Sequence, residues 1–311
     1  MLKRTNWDDF QPQPFLIVNP DSGNADPRRT IDPFNSMCVR HHWDHNDCIL
    51  DDHSDINAIT VDAVKRGYNL IIAAGGDGTI SGVVNGIIGK EAVLGIVLGI
   101  VPAGTGNGLA KALRIPLQKD DALSLLSKGH HIAMMDVLEV DGDYAILNVS
   151  SGMSARAMAQ TSEDSKQALG MLAYLQSLVE TMQQLDTYRF QLCIDGQTVS
   201  VDACEVIVSN GTLLNDPPSD IYGARADFFD GSMEIQVIKA NRLDQYLSLA
   251  WELLVQDNHQ AESIEIHRGS EYVSIQVEGE QLPLQMDGDL YGHLPAEIHL
   301  HTQKIPILLP D

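Results

Sequence analysis

Leu70-Ile71-Ile72-Ala73-Ala74 runs straight into Gly75-Gly76-Asp77-Gly78-Thr79, and this junction decides the fold. An unbroken apolar run of this length reads as a strand covered on both faces, as in parallel sheets. The glycines turn the chain at the end of that strand, and residues 80–88 then carry helix-like apolar spacing. The same unit recurs on either side. Residues 15–18 read as a strand entering Asn19-Pro20-Asp21-Ser22-Gly23. Residues 93–101 read as another, ending at Pro102-Ala103-Gly104-Thr105-Gly106-Asn107-Gly108, with a helix over 104–113. Residues 55–66 space Ile56, Ile59, Ala63 and Val64 on one helical face, with Gly67 as the stop. Strand-helix alternation with glycines at strand ends predicts an α/β domain over 1–133, built on a parallel, doubly wound sheet.

After residue 133 the pattern changes. Residues 134–140, 144–149, 188–194, 198–208, 232–238, 263–266 and 272–277 read as strands, with Asp-Gly turns at 141–142, 195–196 and 230–231. This predicts a β-rich, antiparallel, sandwich-like second domain over 134–311. One amphipathic helix interrupts it, with Leu169, Leu172, Leu175, Leu178, Val179, Met182 and Leu185 on a single face that reads as core.

Composition narrows the function. Hydrophobic residues are 44% and charged residues 20% of the 311, an ordinary globular balance. The net charge of −23 repels nucleic-acid phosphates and gains nothing from anionic headgroups, so apolar contacts or local basic patches must carry any membrane contact. Cys38, Cys48, Cys193 and Cys204 form no CxxC pair and read as reduced cysteines. With no signal-like N-terminus and no spanning segment, the expected location is cytoplasmic, or peripheral at the membrane.

Three glycine-bearing turns thus follow three strands of one sheet. Ligands of open parallel sheets sit beyond the carboxyl ends of the strands, where glycines let backbone N–H groups approach phosphate oxygens. Ser22, Thr79 and Thr105 add hydroxyl donors. Neither a G-x-x-x-x-G-K-[ST] loop nor a G-x-G-x-x-G fingerprint is present. Asp77, set in the middle of the phosphate turn, calls for a cation such as Mg²⁺ between its carboxylate and the phosphates, or else caps the helix that follows.

On these residues the sequence resembles the diacylglycerol kinase and sphingosine kinase superfamily, in particular its bacterial lipid kinases. The turns at 19–23, 75–79 and 102–107 fall in the family's order. So do Asn148, Gly152, residues 166–174, Asn210, Asp230-Gly231, Asp287-Gly288 and the closing stretch 295–310. The resemblance implies an ATP- and Mg²⁺-dependent kinase acting on a lipid alcohol, with transient membrane contact and no nucleic-acid partner. Diacylglycerol is the first acceptor it suggests, a sphingoid base or other long-chain alcohol the second. It places ATP on Asn19, Ser22, Gly75, Gly76, Asp77, Gly78, Thr79, Ile80, Ser81, Gly104, Thr105 and Asn107. It makes Asp287 the acceptor of the hydroxyl proton, with Asp289 where the family has glutamate. It also implies a metal site on Asp227, Asp230 and Ser232, with Asp227 and Ser232 contributing backbone carbonyls.

The chain departs from the family at Ser81 and Gly82, where the family has Asn or His and then Glu, and at Gly108, Asp289 and an upstream threonine without a counterpart. An NAD kinase-like enzyme, or a relative that binds nucleotide and lipid without turnover, therefore stands beside the lipid kinase reading. One stretch lies outside the family pattern: His41, His42, Asp44, His45, Asp47, Cys48, Asp51, Asp52 and His53 are metal-ligand types, but at spacings that match no standard zinc site, so they read as a polar surface loop.

Overall fold

The structure, a computed structural model, describes residues 5–7, 10–22, 26–88, 95–128, 131–160, 186–211, 227–240, 242 and 264–310. The chain forms two compact units, Met1–Val137 with His301–Asp311, and Leu138–Leu300.

The first unit contains β1 (Thr5–Asn6), β2 (Pro14–Val18), α1 (Arg28–His41), β3 (Asn46–Ile49), α2 (Ile56–Lys65), β4 (Leu70–Gly75), α3 (Asp77–Ile87), β5 (Val97–Pro102), α4 (Gly108–Ala112), α5 (Lys119–Lys128) and β6 (His131–Met135). The second contains β7 (Leu138–Val140), β8 (Asp143–Ala145), β9 (Asn148–Gly152), α6 (Met153–Gln160), β10 (Tyr188–Ile194), β11 (Gln197–Ala203), β12 (Glu205–Ser209), β13 (Met233–Ile238), β14 (Ile264–Gly269), β15 (Tyr272–Val277), β16 (Pro283–Met286), β17 (Asp289–His293) and β18 (Ala296–Leu300). The chain then returns to the first unit as β19 (Ile305–Leu309).

The first sheet has the order β1-β6-β19-β5-β4-β2-β3, parallel from β19 through β3. Every residue of β2, β4 and β5 is buried, as the apolar runs required of strands with helices over both faces. The second unit has two antiparallel six-stranded sheets, β11-β10-β15-β18-β7-β8 and β14-β13-β12-β9-β16-β17. Their core includes Phe190, Leu192, Val206, Val208, Ile235 and Val237. Each such side chain contributes about 1.5–3 kcal/mol on burial.

The structure corrects the predicted elements in several places. The whole of 134–311 was expected in the second domain, but the tail strand β19 pairs parallel to β5 and antiparallel to β6. Its five residues Ile-Pro-Ile-Leu-Leu are all buried, which suits an interior position in the two-faced sheet. The predicted strand 134–140 divides between the sheets as β6 and β7, and 198–208 divides as β11 and β12. The helix after Gly75-Gly76 starts at Asp77, so the glycine turn is that helix's first turn. The predicted strand 93–101 is described only from Val97 as β5, and the Leu169–Leu185 stripe lies outside the described residues.

The His- and Asp-bearing stretch 41–53 is the end of α1, the strand β3 and the turn before α2. His41 stacks on Trp43, Asp51 accepts from the Ser54 hydroxyl at 2.7 Å, and His45 lies edge-on to Phe34. Among the described residues no group of three or more His, Cys, Asp or Glu is placed to hold a metal. All four cysteines are free, and burial pushes the thiols of Cys38 and Cys204 up to about 12.

Candidate active site

In the first unit the three strand-end turns are joined to one another. Asn19, the residue after β2, donates from Nδ2 to Thr79 Oγ1 at 3.1 Å, and the Gly76 N–H donates to Ser22 Oγ at 3.3 Å. Asp77 accepts from the Gly108 and Leu109 amides at 2.9 and 3.0 Å, so its carboxylate caps α4. The capping alternative is thus realised on a different helix from the one expected. The negative charge that called for an intervening cation is met by two backbone N–H groups. Asn107, at φ 50°, closes its own turn, with Oδ1 accepting from the Gly104 amide at 2.9 Å and Nδ2 donating to the Gly104 carbonyl at 2.7 Å.

The glycines follow from these contacts. A Cβ on Gly104 would stand 2.5 Å from Gly76 Cα, so the second and third turns touch backbone to backbone. A Cβ on Gly75 would stand 2.3 Å from Thr79 Oγ1. Around Gly78 a Cβ would meet nothing within 4 Å, and α3 has no side-chain cap on its N-terminal amides. That end of α3 is a set of N–H donors with positive dipole character and room for an anion.

The predicted nucleotide residues divide accordingly. Gly76, Gly78, Gly104 and Thr105 lie at the accessible edge, whereas Thr79 is 3% exposed with its hydroxyl accepting from Asn19. Ile80 is fully buried, and its amide is used inside α3 on the Gly76 carbonyl. Ser81 is half-buried and supports Asn85 through its carbonyl.

In the second unit, Asp287-Gly288 turns β16 into β17 with φ of 51° and 94°, a pairing that Asp-Gly favours in tight hairpins. The Asp287 carboxylate accepts from three consecutive amides, Ile146 at 2.8 Å, Leu147 at 2.8 Å and Asn148 at 3.1 Å. These amides serve Asp287 instead of a neighbouring strand, which is why the predicted strand 144–149 breaks into β8 and β9. Asp289 is exposed at the start of β17.

A buried polar row supports this turn. Gln285 accepts from the Gly288 amide at 2.8 Å and donates to Asn148 Oδ1 at 2.7 Å and Ser150 Oγ at 2.8 Å. Ser150 in turn donates to Glu205 at 3.2 Å. Asn210 holds the Ile146 carbonyl at 3.1 Å, fixing the strip whose amides hold Asp287. Sequence reasoning found Asn148 and Asn210 through the resemblance and missed Gln285, Ser150 and Glu205. The signal was no more than a polar residue set beside apolar ones in each strand.

Asp227, Asp230 and Ser232 come together, but not in a form that fits a cation. Asp230 accepts from the Ser232 hydroxyl at 2.6 Å and the Asp227 amide at 3.0 Å, and Arg268 Nη2 sits directly on its Oδ2. Arg268 Nε also donates to Ser232 Oγ at 2.8 Å. The Asp230 carboxylate is thus already paired with a guanidinium.

Two family models cover most of the chain. Residues 13–140 match the diacylglycerol kinase catalytic domain, and residues 147–309 match the YegS C-terminal NAD kinase beta sandwich-like domain. The chain belongs to the diacylglycerol kinase superfamily. Among its relatives is a Yersinia pestis (strain Pestoides F) protein named "Probable lipid kinase YegS-like", 30% identical over 75% of this chain and 77% of that one. The Synechocystis (strain PCC 6803) protein sll0036 is 25% identical over 95% of this chain and 70% of its own. A crystal structure of a diacylglycerol kinase from Bacillus anthracis str. Sterne shares the fold, with a TM-score of 0.76 over 97% of this chain and 98% of that one at 24% identity. Membership of this superfamily makes the protein a kinase-type phosphotransferase. Among the described residues no helix is long and apolar enough to cross a membrane.

Proposed function

We propose that the protein is an ATP-dependent lipid kinase that transfers the γ-phosphoryl group to a lipid hydroxyl, diacylglycerol first and a sphingoid base or other long-chain alcohol next. The observation that carries this reading is the joining of three strand-end turns at one sheet edge, with the uncapped start of α3 and the open space at Gly78 between them. Phosphoryl transfer asks little covalent chemistry of a protein and much positioning. In this reading the first α3 amides and the Gly104–Asn107 turn hold the phosphate oxygens, and Thr105 adds an exposed hydroxyl. Mg²⁺ enters as the counter-ion of ATP and neutralises charge on its phosphates; Asp77, committed to α4, is not assigned to it.

On the acceptor side, the Asp287 carboxylate, fixed in place by three amides, takes the proton from the lipid hydroxyl as its oxygen bonds to the γ-phosphorus, and Asp289 lies two residues on. A lipid acceptor implies transient contact with a membrane surface. The test offers γ-labelled ATP, Mg²⁺ and detergent-dispersed diacylglycerol to the whole chain and follows label into the organic phase. Label that depends on both ATP and lipid supports the reading, and label that stays aqueous with ATP still bound, with sphingosine as with diacylglycerol, removes it.

A second reading, an NAD kinase-like enzyme, rests on the relation of the second family model to an NAD kinase β-sandwich. It predicts labelled NADP and indifference to lipid.

A further inference from the structure

We infer that Arg268 is the resident counter-ion of the Asp230-Gly231 turn in this chain, and that the turn needs no metal. The sequence resemblance put a metal on Asp227, Asp230 and Ser232, and this inference replaces that site. It does not rest on the kinase reading.

Four contacts carry it. Asp230 Oδ2 accepts from Arg268 Nη2 and from the Asp227 amide, and Oδ1 accepts from the Ser232 hydroxyl. Arg268 Nε reaches Ser232 Oγ at 2.8 Å, so one guanidinium covers both the Asp230 carboxylate, the one side-chain ligand of the implied site, and the hydroxyl beside it. Hydrogen bonds between guanidinium and carboxylate are charge-assisted, and the planar fork brings direction as well as charge. A divalent ion requires oxygen ligands free to face it, and a cation beside Arg268 would meet like charge at contact distance.

The strand register shows why an arginine can do this here. On β14, Arg268 stands directly opposite Glu234 of β13, which is 3% exposed and whose Oε2 has no hydrogen-bond partner among the described residues. The same row continues through Ser209 to Asn148, whose amide holds Asp287. Arg268 therefore brings positive charge to the carboxylate of the turn from a strand position paired in register with a second acidic residue. A structural metal at this turn would do the same service, tying the residues before β13 to the sheet. The arginine does it within the chain.

The test is thermal unfolding of the full chain without nucleotide, after exhaustive chelation and again with Mg²⁺ added, for wild type, Asp230→Asn, Arg268→Ala and Arg268→Lys. The expected result is a wild-type melting temperature that responds to Mg²⁺ no more than Asp230→Asn does, any common rise being screening of the net charge of −23. Arg268→Ala should melt lower by about 3–6 °C. Mg²⁺ should recover part of that loss in Arg268→Ala but none in the double variant with Asp230→Asn. Should Arg268→Ala not fold, Arg268→Lys keeps the charge without the fork and should show the same order with a smaller drop. A saturable rise with Mg²⁺ in wild type that disappears in Asp230→Asn, or one stoichiometric metal retained through chelation, would overturn the inference.

Discussion

Asp195 and Asp287 are two uses of one hydrogen-bonding device. Asp195 opens the β10–β11 hairpin at φ 46°, and its carboxylate accepts from the amides of Ser270, Glu271 and Tyr272, as Asp287 does from 146–148. Burial pushes the Asp195 carboxyl up, but the Tyr272, Ser270 and Glu271 amides outweigh it and hold the group below its ordinary 3.8. A carboxylate depressed on folding stabilises fully above its unfolded value, and that contribution disappears as pH falls through the lower folded value. Asp195→Asn should therefore flatten the stability curve below about pH 4 and run parallel to wild type above about pH 5, by urea unfolding across pH. Equal slopes would contradict the assignment. Asp287→Asn turns an amide NH₂ toward N–H donors and should cost about 1–3 kcal/mol of stability. Its separate role appears only in turnover. With both variants assayed well below their melting temperatures, Asp287→Asn should abolish transfer and Asp195→Asn should leave it near normal. Similar activity in the two would reduce Asp287 to a turn residue. From sequence the two Asp-Gly pairs look alike, because the amides they hold lie 75 and more residues away.

At the scale of elements, the glycines of α3 explain a departure from the family that looked like a loss. Gly82 and Gly86 are one helical turn apart and face α2, where a Cβ would stand 3.0 Å from Ile56 Cβ and 2.4 Å from Thr60 Cβ respectively. The family's glutamate at 82 would have to displace Ile56. Gly86→Ala also meets the Asn57 carbonyl oxygen at 2.9 Å, which is backbone and cannot swing away. It should cost about 1–3 kcal/mol despite alanine's better helix propensity, read by denaturant unfolding. Gly82→Ala, facing only a side chain, should cost less, and the reverse order would contradict this packing. Gly104→Ala forces apart the turns that meet at Gly76, so ATP should bind at least about tenfold more weakly by calorimetry, a loss of about 1.4 kcal/mol. Unchanged affinity would separate that contact from the nucleotide site. The strand-turn-helix order of this region was legible because both-face burial leaves an unmistakable apolar run. The short α4 was not, since its start depends on Asp77 reaching across to residues 108 and 109, and the early start of α3 rests on a backbone bond from Ile80 to Gly76.

Over the whole molecule, the two-part organisation was readable from the change in periodicity near residue 133, and the return of the tail was not. A closing run such as Ile305–Leu309 fits either sheet by composition, and only its partners β5 and β6 decide. The same holds for function. The turns point to phosphate, and the acceptor depends on surfaces whose apolar side chains read like core. The most direct measurement is transfer of label from γ-labelled ATP with diacylglycerol, sphingosine, a mixed lipid extract and NAD offered side by side to wild type and Asp287→Asn. A labelled lipid product that vanishes in the variant is the predicted result. Labelled NADP, or no transfer to any acceptor by a protein that binds ATP, would contradict a lipid kinase.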